Sequence, residues 1–349
     1  MNYIYYRLPD TEQAYRCLAA DQPEELHDFS ELNGKSGFVI APFIPTDSTP
    51  IVLLPCHFEP MTLAEDDGTE AVLIDAGYAE ERMAYGTDFH NYHRQLTNGS
   101  FKKIVLARNA TLTATEHIDN EVLFARACRR YPHMFITMFA TRQTGTWLIA
   151  TPETLLAGHH NEMNTMALAG TMHKTDSMPQ WNEKNIEEQH CVEMYIRECI
   201  GRFANNITIQ GPYSSHAGQL VHLRSDIAFS LADTQHLGCL LEALHPTPAV
   251  GGLPKEAARQ FINSNEQAPR GYYSGFSGII NPNADTHLFV TLRCMQMMGN
   301  DKYKLYAGGG LLADSNEQQE WEETEAKMNT IMGLFKTQSF CRLRNNKYV

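Results

Sequence analysis

Several features are missing from this chain, and each absence removes a class of function. No apolar run in its 349 residues is long enough to span a bilayer, so no membrane role is expected. The opening MNYIYYRLPDTEQ has neither the basic n-region nor the apolar h-region of a secretion signal, so a cytoplasmic setting is expected. No CxxC pair occurs: Cys17, Cys56, Cys128, Cys191, Cys199, Cys239, Cys294 and Cys341 are scattered and read as reduced thiols. His57, His90, His93, His159 and His160 make no ligand set for zinc. There is no basic patch or arginine-rich run, and 28 basic against 41 acidic side chains give a net charge of −13, which argues against nucleic acid. The same charge makes an anionic ligand awkward to hold without a metal or well-placed cations. Low-complexity linkers and short-period repeats are also absent. What remains has 43% apolar and 20% charged residues and exceeds one minimal core, so one large domain or two intimate ones are expected.

The most informative stretch that is present is KYKLYAGGGLLADSNEQQEWEETEAK, residues 302–327. An alternating apolar run passes through three glycines and into a helix, with Ser315 the expected cap and Gln318 completing a capping box. Glu320, Glu323 and Lys327 follow at spacings of three and four and share one helical face. Carboxylates are hard ligands for Mg²⁺. A glycine loop brings backbone N–H groups close to an anion, and a lysine adds a point charge. Glu/Lys spacing of this kind is usually a solvated face worth roughly a few tenths of a kcal/mol. Three successive glycines weaken a strand, however, and close approach of the backbone to a bound group accounts for that cost. The expectation is a site that holds a small acidic molecule through a metal.

The rest of the chain reads as strands in runs with long helices between them. GFVIAPF (37–43), IVLL (51–54) and AVLID (71–75) are strands, and Tyr85, Phe89, Tyr92 and Leu96 recur at helical spacing. KKIVLAR (102–108) is a strand and 120–131 an amphipathic helix. FITMFA, TWLIAT, LLAGHH and NTMALAG read as an antiparallel meander of four strands. Helices are expected at about 180–203, 235–244 and 255–264, the last opened by Pro254. GYYSGFSGII, HLFVTLRCMQMM and KYKLYAGGG are three further strands. This order predicts α+β layers with large antiparallel sheets.

Several residues in these elements carry chemistry. Alternation puts Lys103, Val105 and Ala107 on one face and Lys102, Ile104 and Leu106 on the other, so one lysine leans inward. A desolvated lysine has a lowered pKa and can act as a base. Glu153, in IATPETLL, sits at a turn between apolar segments, where burial raises a carboxyl's pKa and suits a general acid. Glu183, Glu187, Glu188 and Glu193 cluster on a helix whose inner side is marked by Ile186, Val192 and Ile196, and one acid facing the site would be a further metal ligand. Arg293 is the sole charge in an apolar strand and asks for a carboxylate, from the protein or a ligand. LHPTPAVGGLP (244–254) is a stiff loop presenting His245 and Thr247, with His245 either a ligand contact or a loop cap. Gly170 and Thr171 end a strand with N–H groups that suit an anion.

KIVLAR, ATPETLL, ALAGT, the Glu188 helix, HPTPAVGG-P, RGYYSG, FVTLRC, AGGG and EWEET-AK, in this order, resemble the chorismate-utilising enzymes. These include isochorismate synthase, salicylate synthase, and the large subunits of anthranilate and aminodeoxychorismate synthase. The resemblance runs from about Phe101 to Met332 and is closest to isochorismate synthase. It implies an α+β chorismate-binding fold: two large, mostly antiparallel sheets sandwiched together with outer helices. It implies one large domain over 1–349, with a variable part at 1–98 and a chorismate-binding catalytic core at 99–336. Within the family Lys103 matches the base that activates water and Glu153 the general acid. Anthranilate synthases usually carry glutamine at the lysine position, and aminodeoxychorismate synthases typically read P-I-K-G-T where this chain has ALAGT. Glu188 and Glu323, with Glu320 close by, match the Mg²⁺ ligands. Arg293, Tyr273, Gly308, Gly310 and Lys327 match positions that hold the substrate's carboxylates, with Gly170 and Thr171 backing the ring carboxylate; His245, from its place in the loop, is a further candidate substrate contact. Gln189 and Asn185 depart from the family pattern beside the metal helix. The implied activity is Mg²⁺-dependent conversion of chorismate to isochorismate, for menaquinone or a siderophore, by a monomer or weak dimer. Salicylate synthesis, or amination as an anthranilate or aminodeoxychorismate synthase subunit, are the rival activities.

Overall fold

A computed structural model describes residues 2–18, 22–173, 180–217, 220–267 and 269–335. Cys341 and the expected core boundary at 336 lie outside the described residues. The N-terminal part supplies β1 (Tyr3–Arg7), β2 (Ala14–Leu18), β3 (Glu24–Leu26), β4 (Gly37–Ala41), β5 (Ile51–Leu54), β6 (Glu59–Met61), β7 (Leu73–Asp75) and helix α1 (Tyr78–Thr97). Then come β8 (Lys103–Ala114), α2 (Asn120–Arg130), β9 (Phe135–Thr141), β10 (Gly145–Thr151), β11 (Thr154–His159), β12 (Glu162–His173) and α3 (Glu183–Ile200). The chain continues with β13 (Ala204–Ala217), β14 (Leu220–Leu231), α4 (Leu237–Leu244), β15 (Gly252–Leu253) and α5 (Lys255–Asn265). It closes with β16 (Phe276–Ile280), β17 (Asp285–Val290), β18 (Cys294–Gly299), β19 (Lys302–Leu311) and α6 (Glu317–Met332).

These strands form two sheets. The first runs β15-β8-β19-β18-β10-β9-β1-β2-β6, with β7 also pairing β8; the second runs β13-β14-β12-β11-β17-β16-β4-β5-β3. The expected α+β sandwich is therefore the observed architecture. Its inner layer is aromatic, because two pleated faces a side chain's length apart need bulk to fill the gap. Phe135 of the first sheet stacks on Phe289 of the second at 4.1 Å, within a buried cluster that includes Phe38, Phe139 and Trp147. Helices cover the outer faces. Leu123 and Phe124 of α2 and Met328 and Ile331 of α6 pack on the first sheet, and Val192 and Ile196 of α3 and Leu237 and Leu241 of α4 pack on the second. The first hundred residues are built into both sheets: β1 pairs β9, and β4 pairs β16.

Three local expectations are corrected. The four-strand meander is two hairpins, β9-β10 in the first sheet and β11-β12 in the second, and the chain crosses between sheets at Pro152–Glu153. HLFVTLRCMQMM is likewise not one strand: β17 lies in the second sheet and β18 in the first, and Arg293 occupies the crossing with φ +48. Period-two patterning does not reveal a sheet change, because the chain stays extended on either side of it. Finally, Asn316 caps α6 by accepting from the N–H groups of Gln318 and Gln319. Ser315 instead donates to Glu320 Oε1 at 2.7 Å.

The join between the N-terminal strands and the rest rests on close contact at Gly275, where an added Cβ would stand 1.9 Å from Ala41 O. Backbone cannot yield as a side-chain tip can, so Gly275→Ala should lower the unfolding free energy by roughly 1–3 kcal/mol or more. Urea denaturation measures this, and an unchanged midpoint would contradict it.

Candidate active site

The two sheet crossings lie side by side and are stitched together. Val290 N–H donates to Glu153 O and Ala150 N–H to Arg293 O, each at 3.0 Å. Both residues open into one cavity. Lys103, Val105, Gly170, Thr171, Glu188, Tyr273, Gly308, Gly310, Glu323 and Lys327 also line it. Residues far apart in sequence thus meet at the seam between the sheets.

Alternation along β8 sends Lys103 and Val105 into the cavity and leaves Lys102 exposed. Lys103 is 1% exposed, and its Nζ lies 2.8 Å from Glu188 Oε1. The other Glu188 oxygen accepts from Gly170 N–H at 3.2 Å. Gly170 sits at a bulge in β12 with φ +68, a conformation that favours glycine. This N–H does meet an anion, as its position suggested, but the anion is the protein's own glutamate.

The glycine run is not a loop. Gly308, Gly309 and Gly310 lie within β19, paired with Ala107, Leu106 and Val105 of β8. What approaches them is side chains. A Cβ on Gly310 would stand 2.4 Å from Glu188 Oε1 and 2.7 Å from Lys103 Cε. One on Gly309 would stand 3.0 Å from Glu320 Oε2 and 3.6 Å from Glu323 Oε1. The missing side chains leave room for three carboxylates and an amine.

Each of those carboxylates has its own lysine. Glu188 has Lys103, Glu323 has Lys327 at 2.6 Å, and Glu320 has Lys184 at 2.8 Å. Lys327 Nζ also donates to Gly308 O at 2.7 Å. Glu320 is buried but does not line the cavity. Burial and the Glu323 charge push its carboxyl up, against the pull of Lys184. Glu188 goes the other way: burial pushes it up, but Lys103, Lys327 and Lys184 together hold it below the usual carboxylate range. Among the described residues, no three His, Cys, Asp or Glu side chains stand together as a ready-made ligand set.

Arg293 is the exception to this pairing. Its Nη2 faces His222 Nε2 at 3.1 Å, while Nη1 is buried with no hydrogen-bond partner. Burial pulls its pKa down, partly offset by Tyr273, Glu323 and Glu153. A buried guanidinium with a free arm calls for an anion in the cavity. His222 also contacts Gly170 O at 3.1 Å and Thr171 Oγ1 at 3.2 Å. Burial and the neighbouring Arg293 and Lys327 charges hold this imidazole neutral, well below its ordinary pKa. Sequence reading missed His222, which sits in an otherwise unremarked strand; only its polar side chain in the apolar run LVHL could have flagged it. Glu153 is 4% exposed, and burial pushes its carboxyl up to about 7 despite Lys103, Arg293 and Lys327.

His245 is a correction. It lies outside the cavity, edge-on to Phe29 and Phe276, with Nε2 near Pro42 O and Phe43 O at 3.2 Å. Burial pushes its pKa down to about 3, so it is a neutral core residue. Its loop reaches the cavity instead through Ala249 and Val250. Ile186 is also misread: it is 49% exposed, while Val192 and Ile196 are buried as expected. Gln189 faces the sheet, donating to Ala167 O and Ser225 Oγ at 3.1 Å, and so anchors α3 rather than the carboxylate site. Asn185 packs on Gly170, its Cβ 3.1 Å from where a Gly170 Cβ would lie.

The family model for chorismate binding enzymes matches residues 64–336. The chain belongs to this family. An isochorismate synthase, MenF, of Haemophilus influenzae is 27% identical over 254 residues, covering 69% of this chain and 58% of that protein. A vibriobactin-specific isochorismate synthase of Vibrio cholerae is 29% identical over 247 residues, covering 67% of this chain and 62% of that one. The matched region thus spans about three fifths of these relatives. The solved structure of MenF, the menaquinone-specific isochorismate synthase of Escherichia coli, superposes with a TM-score of 0.81 at 21% identity, over 96% of this chain and 89% of that one. The chorismate-binding fold is therefore the fold of this chain.

The Glu153 environment has a measurable consequence. The folded state binds this proton more tightly than an ordinary carboxyl at 4.5 does, so stability is highest below that value and falls as pH rises toward about 7. Denaturant unfolding across this range should show a decline on the order of 3 kcal/mol that is absent in Glu153→Gln. Parallel pH profiles for the two proteins would contradict it.

Proposed function

We propose that this chain is a Mg²⁺-dependent isochorismate synthase, an isomerase that adds water at C2 of chorismate with loss of the C4 hydroxyl. The observation that carries the reading is the meeting in one cavity of a buried amine, a carboxyl raised to about 7 and a guanidinium with a free arm. Strands of the first hundred residues pair into both sheets, which supports 1–349 acting as a single large domain.

In this scheme Lys103 leaves Glu188 and releases its ammonium proton to solvent, and the neutral amine then takes a proton from the water that attacks C2. The ring double bonds shift, and Glu153, with a share of its carboxyl still protonated near neutral pH, gives its proton to the departing C4 hydroxyl. Arg293 and Lys327 grip the enolpyruvyl carboxylate and fix its orientation. Gly170 and Thr171 line the end of the cavity that takes the ring carboxylate, Gly170 acting through Glu188, which its N–H holds, while Tyr273, Gly308 and Gly310 shape the wall around it. Glu188 and Glu323, with Glu320 behind Gly309, have the hard oxygen donors that suit Mg²⁺. The ion would supply charge neutralisation for the substrate's carboxylate. The product would serve menaquinone or siderophore synthesis, the two fates named among the relatives.

Purified protein given chorismate and Mg²⁺ should yield isochorismate, and a chelator should stop turnover. Lys103→Ala should lower kcat by about 10²-fold or more while leaving Mg²⁺-dependent ligand binding largely intact. Salicylate and pyruvate appearing without a partner lyase would replace this reading with salicylate synthase. Turnover that requires ammonia would replace it with an aminating subunit.

A further inference from the structure

Behind the cavity wall lies a buried ion pair that the proposed chemistry leaves unused. Glu266, at the end of α5, and Arg270 meet as a fork, Nε to Oε2 at 2.7 Å and Nη2 to Oε1 at 2.6 Å, with side chains 5% and 3% exposed. Burying two charges is costly unless their remaining hydrogen-bonding capacity is satisfied. Here it is satisfied by backbone groups around the cavity. Arg270 Nη2 donates to Val105 O at 2.8 Å and Nη1 to Val250 O at 2.7 Å, while Ala107 N–H donates to Glu266 Oε1 at 3.0 Å. Val105 and Val250 both line the cavity. The guanidinium lies over the Phe43 ring at 4.3 Å, which fixes its plane from the other side.

The sheet topology explains why this strand needs them. β15 is two residues long and pairs β8 at Lys103 and Ile104. Val105 N–H reaches Gly251 O at 2.7 Å, and β7 takes over the same edge from Leu112 to Ala114. Between them, Val105 O and Ala107 N–H face away from β19 with no strand neighbour. Arg270 and Glu266 fill those two places, so a side-chain ion pair stands in for a missing rung of the ladder.

We propose that the Glu266–Arg270 pair is a positioning element of the active site. It fixes the β8 segment that presents Lys103, and it ties that segment to the neighbouring Val250 segment. The inference rests on Lys103 acting in this cavity.

The test uses the full chain with Glu266→Gln, Arg270→Lys and the double variant. Kinetics are corrected for the folded fraction, and amide hydrogen exchange is followed at Ala107. The expected result is a kcat lowered by about 10²-fold with KM little changed, since small misplacement of a reacting group acts on the chemical step. Exchange at Ala107 should speed up, and the double variant should be no worse than the worse single one, because the two residues act as a unit. Unchanged kcat per folded molecule, with only a lower Tm, would reduce the pair to a structural role and overturn the proposal. If neither variant folds, the parent protein decides: Ala107 N–H must exchange as slowly as its ladder-bonded neighbour Leu106, and fast exchange overturns the proposal. If the parent protein does not turn over chorismate, the functional reading fails separately, and the exchange comparison still decides whether the pair holds the strand.

Discussion

The contact between Lys103 and Glu188 is the constraint around which the site is built. It joins β8 of the first sheet to α3, which is packed on the second, in a place where both charges are largely buried. At 2.8 Å, a buried amine and carboxylate hold each other where neither could stand alone. The local irregularities follow from it. Gly310 has no side chain because one would strike both partners. β12 bulges at Gly170 so that its N–H can reach the second Glu188 oxygen. Gln189, one residue on, turns into the sheet and fixes the helix at the height this contact needs.

Charge compensation then organises the rest of the cavity. In a chain of net charge −13, positive groups gather where the negative ligand is to go. Lys103, Lys184 and Lys327 each hold a glutamate, and these pairs keep the carboxylate cluster from repelling itself. Arg293 has a histidine on one arm and no partner on the other. Burial works on neighbouring groups in opposite senses, raising Glu153 and lowering His222, because it penalises whichever form is charged. At neutral pH the cavity thus keeps a share of the acid protonated and the imidazole neutral.

Much of this was legible along the chain. Alternation in FKKIVLAR separates the faces of Lys102 and Lys103, and the structure buries one and exposes the other. The spacing of Glu320, Glu323 and Lys327 places them on one side of a helix, and they do converge on the glycine strand. His245 was misjudged for a physical reason: a histidine beside prolines in a polar-looking loop carries no local sign of the three aromatic rings that enclose it. Lys184 and His222 went unremarked because each acquires meaning only from a partner more than 70 residues away.

By itself, then, the sequence determined the periodicity of strands and helices, the glycine positions, the order of the motifs and through them the family. These are local or ordered along the chain, and side-chain pattern is sufficient to set them. Only the tertiary structure decided where the chain changes sheets, and hence that Glu153 and Arg293 stand at neighbouring crossings. It also decided which lysine neutralises which carboxylate, and that Glu266 and Arg270 complete the edge of β8. Those facts depend on strand order and long-range packing. An extended segment has the same local pattern whichever sheet receives it, and a charge has no partner until the fold brings one within reach.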